Sequence, residues 1–400
     1  MPACSGLDGV TPRLRLLVLQ PTPFCNIDCS YCYLANRKNT ARMTLDTLAL
    51  ASQRVFESGL LDRHLDVAWH AGEPLAVPLA WYEDAVALME ERRPSNLDLT
   101  HCFQTNGMLL DEAWARFLAR SRSRIGLSID GPADLHDTNR RTRAGHGTHA
   151  RVMRAARLLQ DYGLDFHVIT VLTERALEDP DRLFDFYVRN GIREVGFNIE
   201  EIEGANGASS LARIGIEARF RQFIKRFFER AWQAPELIKV RELESTIGQL
   251  LSPEPVRDEQ NRPFAVLSVS HDGKMSTFSP ELLDARHPGY GAFALGHVAT
   301  HSLSNIESSP QFQQICGEIR RGVEACERSC RYYRWCGGGA PINKLFETGA
   351  FDTSETMHCR LTRQIVLDEV LAGLEARTAP PQMTTAAVPT TPIDHNQYLR

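Results

Sequence analysis

Three cysteines near the start of the chain have the residue type and spacing of an iron–sulfur site. Cys25, Cys29 and Cys32 form a CxxxCxxC run. Iron–sulfur cubes are held by cysteine thiolates, and three thiolates leave one iron of a [4Fe–4S] cube without a protein ligand. An open iron of this kind can bind and activate a small molecule. Part of a zinc site is the alternative, although zinc usually takes four protein ligands in structural sites.

The elements that must position these cysteines alternate between strand and helix patterns. The apolar run at 14–20 predicts a buried strand, so the trio lies on the loop that leaves the first strand. Short apolar and amphipathic runs then alternate, with one strand–helix unit in roughly 30 residues. The candidate strands are 14–20, 65–70, 98–104, 124–129, 165–172 and 194–199, and the candidate helices are 44–58, 79–92, 111–120, 148–162 and 180–190. This order predicts an α/β fold with a parallel sheet in an open, partial (β/α)6 barrel.

Chemistry in such barrels lies at the carboxyl ends of the strands. The loops at those ends carry polar or glycine-rich motifs, which are His70–Pro74, Gln104–Gly107, Ser128–Gly131 and the arginine-rich segment 140–143, with Val171 and Leu172 ending the fifth strand. Tyr31 precedes the third cysteine. Together these residues resemble the radical S-adenosylmethionine (SAM) superfamily, whose signature is CxxxCxΦC with an aromatic Φ.

The resemblance implies that the three cysteines hold a [4Fe–4S] cluster whose open iron is chelated by SAM. Reduction would cleave SAM to a 5′-deoxyadenosyl radical that abstracts a hydrogen atom from the substrate. The resemblance also implies SAM contacts at Tyr31, Gly72, Glu73, Asn106, Ser128 and Val171, and at an arginine that pairs with the SAM carboxylate. Arg140, Arg141 and Arg143 are all candidates for that arginine. Ala71 departs from the family's GGEP motif, because it replaces the first glycine.

A second group of cysteines lies in the C-terminal part of the chain, at Cys326, Cys330, Cys336 and Cys359. Two apolar runs around Asp272-Gly273 precede the group and predict a hairpin. This part resembles the SPASM extension of radical SAM peptide maturases, a Cys-rich auxiliary module that usually holds two further clusters. Four cysteines suffice for one auxiliary [4Fe–4S] cluster, and a zinc ribbon is the alternative.

Three positions depart from the SPASM pattern. Ser279, His301 and Ala340 stand where relatives have cysteines. These are the ligands of the cluster that lies nearer the substrate, so we expect that cluster to be absent. A cluster held by all four remaining cysteines has no open iron. We therefore expect it to have a structural role or to transfer electrons.

The segment Thr277–Leu283 and the surroundings of the first cysteine trio resemble the GrrM-type maturases of Gly-rich-repeat precursor peptides. These are similar to cyclophane synthases, which join an aromatic ring carbon to a side-chain β-carbon in a ribosomally made precursor peptide. The alternatives are a sulfatase-type maturase that makes formylglycine and a thioether-forming enzyme, and the missing ligands count against both. A non-catalytic zinc or cluster-binding module would leave the motifs after the strands unexplained. The resemblance implies a flavodoxin or ferredoxin-type reductant.

The composition is that of an ordinary globular protein, with 43% hydrophobic and 24% charged residues. The net charge of −5, with scattered basic residues, gives no indication of a nucleic-acid or membrane partner. No apolar run approaches the ~20 residues that cross a bilayer, and no signal sequence begins the chain, so we expect a cytoplasmic protein. Ten cysteines in such a protein favour metal or redox chemistry over disulfides.

The expected organisation has five segments, namely an N-terminal tail at 1–12, the barrel at 13–200, a helical bridge and linker at 201–262, the auxiliary domain at 263–376 and a flexible tail at 377–400. No leader-binding domain is indicated, so we expect the cleft or a separate protein to recognise a leader. A long helix predicted at 214–232 carries several phenylalanines near one face. Their spacing indicates core packing or, alternatively, one wall of a peptide groove.

Overall fold

The computed structural model describes residues 13–378 as an α/β protein organised around one mixed sheet. The strands are β1 Leu16–Leu19, β2 His64–Trp69, β3 Asp98–Thr105, β4 Arg124–Ser128, β5 His167–Leu172, β6 Glu194–Ile199, β7 Lys239–Val240, β8 Val266–Val269, β9 Lys274–Thr277, β10 Arg286–His287, β11 Gly291–Ala292 and β12 Gly296–His297. The tail predicted at 1–12 lies outside the described residues, as do all but the first two residues of the tail predicted at 377–400.

The helices of the described chain alternate with the first strands and then gather in the C-terminal third. They are α1 Leu45–Phe56, α2 Leu79–Arg92, α3 Glu112–Arg120, α4 Ala133–Asn139, α5 His149–Asp161, α6 Pro180–Arg189, α7 Ile216–Gln233, α8 Arg241–Leu251, α9 Leu303–Glu307, α10 Pro310–Ser329, α11 Tyr333–Cys336, α12 Pro341–Thr348, α13 Met357–Cys359 and α14 Val366–Thr378. Among them none is long and apolar enough to cross a membrane.

The main sheet has the strand order β12-β9-β8-β1-β2-β3-β4-β5-β6-β7. Strands β1 to β6 are parallel to their neighbours in chain order, as the sequence predicts. The short β7, which was not predicted, adds a parallel strand beside β6. On the other side of β1, β8 is also parallel, with Leu16 opposite Val266. Strands β9 and β12 are antiparallel, so the sheet is mixed. Strand β8, which begins the segment predicted as a separate domain, therefore continues the barrel sheet.

All six strands and five helices predicted for the first 200 residues are present, with ends shifted by a few residues. Local signals explain this agreement. The Asp111 carboxylate accepts a hydrogen bond from Trp114 N at the start of α3, and Asp179 accepts one from Arg182 N at the start of α6. Helix α4 was not predicted, because its seven residues have no apolar period.

The alternation of side chains along the strands creates an inner and an outer face. In β5, Val168 and Leu172 are buried outside against the helices, whereas Ile169 and Val171 face an inner cavity. On the helix side of the sheet, Trp69 makes edge contact with Tyr82 of α2, with the ring centroids 5.2 Å apart. The core therefore lies between the sheet and its helices and leaves the inner face free for ligands.

The long helix predicted at 214–232 forms as α7. Phe223, Phe227 and Phe228 are buried, as core packing requires. Phe220 is also buried, but its side chain lines the inner cavity. One aromatic ring of α7 therefore forms part of the cavity wall.

The C-terminal part contains the predicted hairpin, in which β8 and β9 pair around Asp272-Gly273. The sequence also predicts a helix at Asp352–Ala376, and this prediction was wrong at its start. The chain becomes helical only at Met357, where Thr356 accepts a hydrogen bond from Cys359 N, and it passes through a π-helical turn at Arg360–Ile365 before α14. Helix α14 continues to Thr378, so the first two residues of the predicted tail are helical.

Candidate active site

A cavity of about 870 Å³ lies at the carboxyl ends of the parallel strands. This volume is within the range of small-molecule sites, about 300–1,000 Å³. The sequence-predicted residues that line the cavity are Cys25, Cys29, Tyr31, Cys32, Gly72, Glu73, Asn106, Ser128, Arg140 and Val171. One enclosed surface thus brings together the residues from separate loops.

The cysteine trio lies on the loop after β1, and neighbouring loops fix its backbone. The Arg143 guanidinium donates from Nε and Nη2 to Cys25 O, at 3.1 and 2.7 Å. Arg37 Nη1 donates to Cys29 O at 3.1 Å. Asn106 Nδ2 lies 3.8 Å from Cys25 Sγ, at hydrogen-bonding distance for sulfur. The loop is therefore held mainly through its carbonyls, and the thiols are left facing the cavity.

Because they are buried, these thiols do not readily lose their protons on their own. Burial, followed by the charge of Glu73, raises the pKa of Cys25 to about 12. Burial raises the pKa of Cys29 to about 11. A metal that coordinates a thiol deprotonates it outright, so these groups suit a bound cation far better than free nucleophilic chemistry.

Gly72 and Ala71 allow the loop after β2 to approach the cysteine loop. Gly72 has φ +63°, and a Cβ there would lie 2.4 Å from Thr22 O and 2.6 Å from Phe24 O. Only glycine fits such a close approach without displacing backbone. Ala71, which replaces the family's glycine, also has a positive φ of 69°, in the left-handed region that glycine favours.

Glu73 ties this loop to the end of β3. Its carboxylate accepts hydrogen bonds from Leu75 N at 3.0 Å, Thr105 Oγ1 at 2.6 Å and Asn106 N at 2.9 Å. It is buried, and burial raises its pKa. Glu73 thus fixes the relative positions of two cavity loops as well as lining the cavity.

Asp130 is the centre of a buried network that the sequence did not single out. Its carboxylate accepts Arg140 Nε and Nη2 at 3.0 and 3.1 Å, Val171 N at 3.0 Å and the Tyr31 hydroxyl. Only 2% of Asp130 is exposed. The Arg140 guanidinium also lies over the Tyr31 ring, 5.5 Å from its centroid. One carboxylate thus joins the cysteine loop to the ends of β4 and β5.

The three candidate arginines have different positions. Arg140 is buried and lines the cavity. The exposed Arg141 does not line it, and its Nε donates to Asp137 O at 2.7 Å. Arg143 supports the cysteine loop from outside, as described above. Only Arg140 is therefore placed to meet a ligand in the cavity, although Asp130 already holds two of its nitrogens.

Ser128 and the end of β5 complete this side of the cavity. Ser128 Oγ accepts a hydrogen bond from Gln104 Nε2 at 3.1 Å. Val171 lines the cavity, whereas Leu172, which also ends β5, is buried against the core on the opposite face of the strand.

The cavity is also lined by a group of carboxylates that the sequence predictions missed, formed by Glu201, Glu203 and Glu281. Burial raises the pKa of Glu281 to about 7, although the hydrogen bond from Ser279 opposes the shift. Burial and then the charges of Glu281 and Glu201 raise the pKa of Glu203 well above its ordinary value. Glu201 and Glu203 follow β6, so the expectation that site residues lie at the carboxyl ends of strands could have identified them. No local sequence pattern identifies Glu281.

The second cysteine group surrounds a small pocket of its own, lined by Cys326, Cys330, Cys336 and Cys359. Burial raises the pKa of Cys336 to about 11. Lys344 is also buried, with 3% of its surface exposed, and its Nζ lies 3.7 Å from Cys326 Sγ. A buried ammonium needs anions beside it, and thiolates on a metal group would supply them.

The three positions that lack cysteine have different surroundings. Ala340 lies between the large cavity and the small pocket and lines both. Ser279 is buried and its hydroxyl donates to Glu281. His301 lies at the end of the hairpin region, where its Nδ1 accepts a hydrogen bond from His297 N at 3.3 Å. Within residues 13–378, no three His, Cys, Asp or Glu side chains lie together as ligands of a single metal ion.

Known proteins resemble this chain over almost its whole length. The model of the radical SAM superfamily matches residues 19–187. An uncharacterized protein from Synechocystis sp. is 40% identical over 366 residues, 90% of this chain and 92% of that protein. The cysteine-type anaerobic sulfatase-maturating enzyme of Clostridium perfringens is 30% identical over 340 residues, 82% of this chain and 89% of the enzyme.

A solved structure, anSMEcpe with bound AdoMet and Cp18Cys peptide, matches the fold with a TM-score of 0.74 at 21% identity. The match covers 92% of this chain and 99% of that one. Membership of the radical SAM family implies SAM and a [4Fe–4S] cluster as cofactors. The chain therefore belongs to the radical SAM superfamily, in which it is an enzyme, a maturase related to the anaerobic sulfatase-maturating enzymes.

Proposed function

We propose that this enzyme oxidises the β-carbon of a cysteine or serine side chain in a peptide or protein, as sulfatase-type maturation does. The observation that carries the proposal is that one cavity joins the cysteine trio to Glu281, a carboxylate with a pKa near neutrality. The identity of 30% with a cysteine-type sulfatase-maturating enzyme, over most of both chains, supports this reading over the cyclophane crosslink expected from the sequence.

Within this proposal, Cys25, Cys29 and Cys32 hold the [4Fe–4S] cluster. When bound, the cluster and SAM supply a 5′-deoxyadenosyl radical that takes a hydrogen atom from the substrate. The cavity residues that contact SAM are Tyr31, Gly72, Glu73, Asn106, Ser128, Arg140 and Val171. Arg141 has no part in this set, because it lies outside the cavity.

The oxidation removes a hydrogen atom, a proton and one electron from the substrate. Glu281 accepts the proton from the substrate thiol or hydroxyl, and its pKa near 7 suits a base that must work at neutral pH. The carbon–oxygen or carbon–sulfur double bond then forms. A thioaldehyde reacts with water to give the aldehyde and hydrogen sulfide, whereas serine gives the aldehyde directly.

The electron needs an acceptor, and Cys326, Cys330, Cys336 and Cys359 provide a site for one. An auxiliary [4Fe–4S] cluster bound there would be a one-electron acceptor. Lys344 supports this assignment, since its buried charge lies beside Cys326. A flavodoxin or ferredoxin-type protein is the proposed partner that reduces the first cluster and accepts electrons from the second.

A cyclophane crosslink is the second candidate. The observation that favours it is the absence of cysteine at Ser279, His301 and Ala340. The first event is the same β-hydrogen abstraction, but the carbon radical adds to a nearby aromatic ring, which then loses a proton and an electron. Glu281 would then take the proton from the ring.

Product chemistry separates the two candidates. The anaerobically purified enzyme with SAM and a chemical reductant would be given short peptides that contain cysteine or serine, and Gly-rich peptides with an aromatic residue. We expect an aldehyde that forms an oxime with a hydroxylamine reagent. A product that has lost two hydrogens, resists oxime formation and does not fragment between two residues would favour the crosslink. SAM cleavage that leaves every peptide unmodified would contradict both.

The Glu281→Gln variant tests the proton acceptor. We expect SAM cleavage without peptide to be retained and peptide oxidation to fall by roughly 100-fold or more, the usual contribution of general-base catalysis. Glu244→Gln is the matched control, because Glu244 is exposed on α8 outside the cavity. Equal activity of Glu281→Gln and the control would remove Glu281 from the mechanism.

A further inference from the structure

Two segments beside the first cysteine loop carry positive charge only. The segments are 36–42 and 141–147, and neither contains an aspartate or a glutamate. Between them they hold five basic side chains, which are Arg37, Lys38, Arg42, Arg141 and Arg143. The whole protein has a net charge of −5, so this concentration of cations is not a general property of the chain.

Hydrogen bonds hold both segments against the cysteine loop. Cys25 N donates to Arg37 O at 3.1 Å, and Asp28 N donates to Arg141 O at 2.7 Å. The Arg143 guanidinium donates to Cys25 O at 2.7 Å and also to Arg37 O. Segments that are far apart in the sequence thus form one patch in the fold, which we call the basic surface.

Most of the charge on the basic surface is exposed and is not neutralised. Arg37 is partly buried and pairs with Asp28 at 2.8 Å. No carboxylate of residues 13–378 forms an ion pair with the other four side chains, all of them exposed, which are Lys38, Arg42, Arg141 and Arg143. Surface charge of one sign attracts an oppositely charged protein before the two touch and raises the rate of association.

The basic surface lies outside the cavity but next to the ligands of the first cluster. Cys25, Cys29 and Cys32 line the cavity, whereas none of the five basic side chains does. In the proposed function SAM and the substrate occupy the cavity, so a protein that reduces the cluster has to approach from outside. Arg143 contacts the carbonyl of Cys25 directly, so a single side chain separates the basic surface from a cluster ligand.

We infer that the basic surface is the docking site of an acidic one-electron carrier, a flavodoxin- or ferredoxin-type protein. One electron passes from the reduced carrier, which is oxidised, to the cluster held by Cys25, Cys29 and Cys32, and no atom is transferred. The inference rests on the proposed function, which includes such a reductant, and it deepens that function by naming the surface and the charge of the partner. An acidic segment of the substrate is the competing occupant.

The test removes exposed cations and keeps the residues that support the cysteine loop. The variant is Lys38→Gln/Arg42→Gln/Arg141→Gln, in which Arg37 and Arg143 are unchanged. A strongly acidic flavodoxin is the probe, and its binding is measured by calorimetry. SAM cleavage without peptide is driven either by the reduced flavodoxin or by excess dithionite, and is measured as 5′-deoxyadenosine.

We expect the variant to bind flavodoxin at least 10-fold more weakly at an ionic strength of about 0.01 M, where the screening length is about 30 Å. Cleavage driven by a low concentration of flavodoxin should fall by a similar factor. Cleavage driven by dithionite should be unchanged, because the cluster and its support are intact. At about 1 M salt, where the screening length is about 3 Å, the variant and the wild-type protein should bind flavodoxin equally.

The matched control removes three exposed cations elsewhere. The variant Arg92→Gln/Lys225→Gln/Arg328→Gln changes the net charge by the same amount, and its three positions lie on α2, α7 and α10. We expect it to bind flavodoxin as the wild-type protein does. Any general effect of net charge would appear in both variants, so the difference between them reports the basic surface alone.

A measurement on the wild-type protein keeps the test independent of the variants. A carbodiimide joins an amine to a carboxylate that lies against it. The mixture of wild-type enzyme and flavodoxin should therefore give a crosslink at Lys38 and none at Lys225, as identified by mass spectrometry of the digested complex.

Three results would overturn the inference. The first is equal flavodoxin binding by the two triple variants at low salt, and the second is crosslinks only at lysines outside the basic surface. The third is unchanged flavodoxin binding together with a loss of dithionite-driven peptide oxidation, which would assign the basic surface to an acidic segment of the substrate. If dithionite drives SAM cleavage but no peptide is oxidised by the wild-type enzyme, the proposed function is contradicted and the docking site stands.

Discussion

The two cysteine groups of this protein differ in what surrounds them. Cys25, Cys29 and Cys32 face a cavity of about 870 Å³, and their loop is held by donors to its backbone. The C-terminal group encloses a small pocket, and the Lys344 ammonium lies against one of its sulfurs. The first arrangement leaves room for ligands, and the second excludes them. The difference predicts separate tasks, which are radical generation at the open group and electron acceptance at the closed one.

Cysteine replacement gives the largest effect. Changing Cys25, Cys29 and Cys32 to alanine should reduce SAM cleavage to background, because the open cluster is lost. Replacing Cys336 and Cys359 should spare SAM cleavage and stop product formation, because the electron acceptor is lost. Cleavage is measured as 5′-deoxyadenosine by chromatography, and iron content reports which site is filled. Unchanged product formation without the second group would contradict the division of tasks.

We expect the next largest effect from the residues that support the loop of Cys25, Cys29 and Cys32. Asp130→Asn leaves Arg140 buried without its counter-ion, which costs roughly 3–5 kcal/mol of unfolding free energy. Asp134→Asn is the matched control, because Asp134 pairs with Arg182 at the surface, where a salt bridge contributes about 0–1 kcal/mol. Urea denaturation measures both. Equal losses in the two variants would show that the buried network does not stabilise this side of the barrel.

The Lys344→Met variant tests the role of the cation beside the C-terminal cysteine group. Loss of the cation beside Cys326 should shift the midpoint potential of the auxiliary cluster to a more negative value, since the reduced cluster carries more negative charge. The measurement is an EPR-monitored redox titration in protein whose first cysteine trio is replaced by alanine. Lys274→Met, on the exposed hairpin turn, should leave the potential unchanged. In metal-free protein, Lys344→Met should stabilise the fold, because a buried, unpaired charge is removed.

The smallest effect is a pH dependence of stability at Glu281, which lines the same cavity as Cys25, Cys29 and Cys32. The folded protein raises the pKa of Glu281 from 4.5 to about 7, so it binds this proton more tightly than the unfolded chain does. Stability therefore falls as the pH rises from about 4.5 to 7. Glu281→Gln should be more stable than wild type above pH 7 and indistinguishable from it below about 4.5. Thermal unfolding against pH measures this, and a constant difference across the range would contradict the assignment.

The parts of the molecule that local sequence determines were predictable. Helices α3 and α6 were predicted because their capping residues Asp111 and Asp179 are visible in the sequence, and the strands because short apolar runs separate the helices. Cys25, Glu73 and Asn106 were placed at one edge because each follows a strand. These predictions need no knowledge of which loops touch.

The rest depends on contacts between distant loops. Arg140 rather than Arg141 lines the cavity because Arg140 is buried against Asp130. No local sequence pattern encodes that contact. Glu281 reaches the cavity only because β8 and β9 continue the sheet beside β1. The nature of the product was not fixed either, because sulfatase-type oxidation and a crosslink begin with the same hydrogen abstraction.

The parallel pairing of β1 with β8 has a consequence for the order of synthesis. Leu16 to Leu19 form an interior strand of the sheet, yet one neighbour, Val266 to Val269, leaves the ribosome some 250 residues later. Until then β1 presents an unpaired edge, which is the kind of surface that invites aggregation. The cysteine loop follows directly from this strand. A stalled or truncated chain that lacks β8 would therefore carry Cys25, Cys29 and Cys32 on an unfinished sheet.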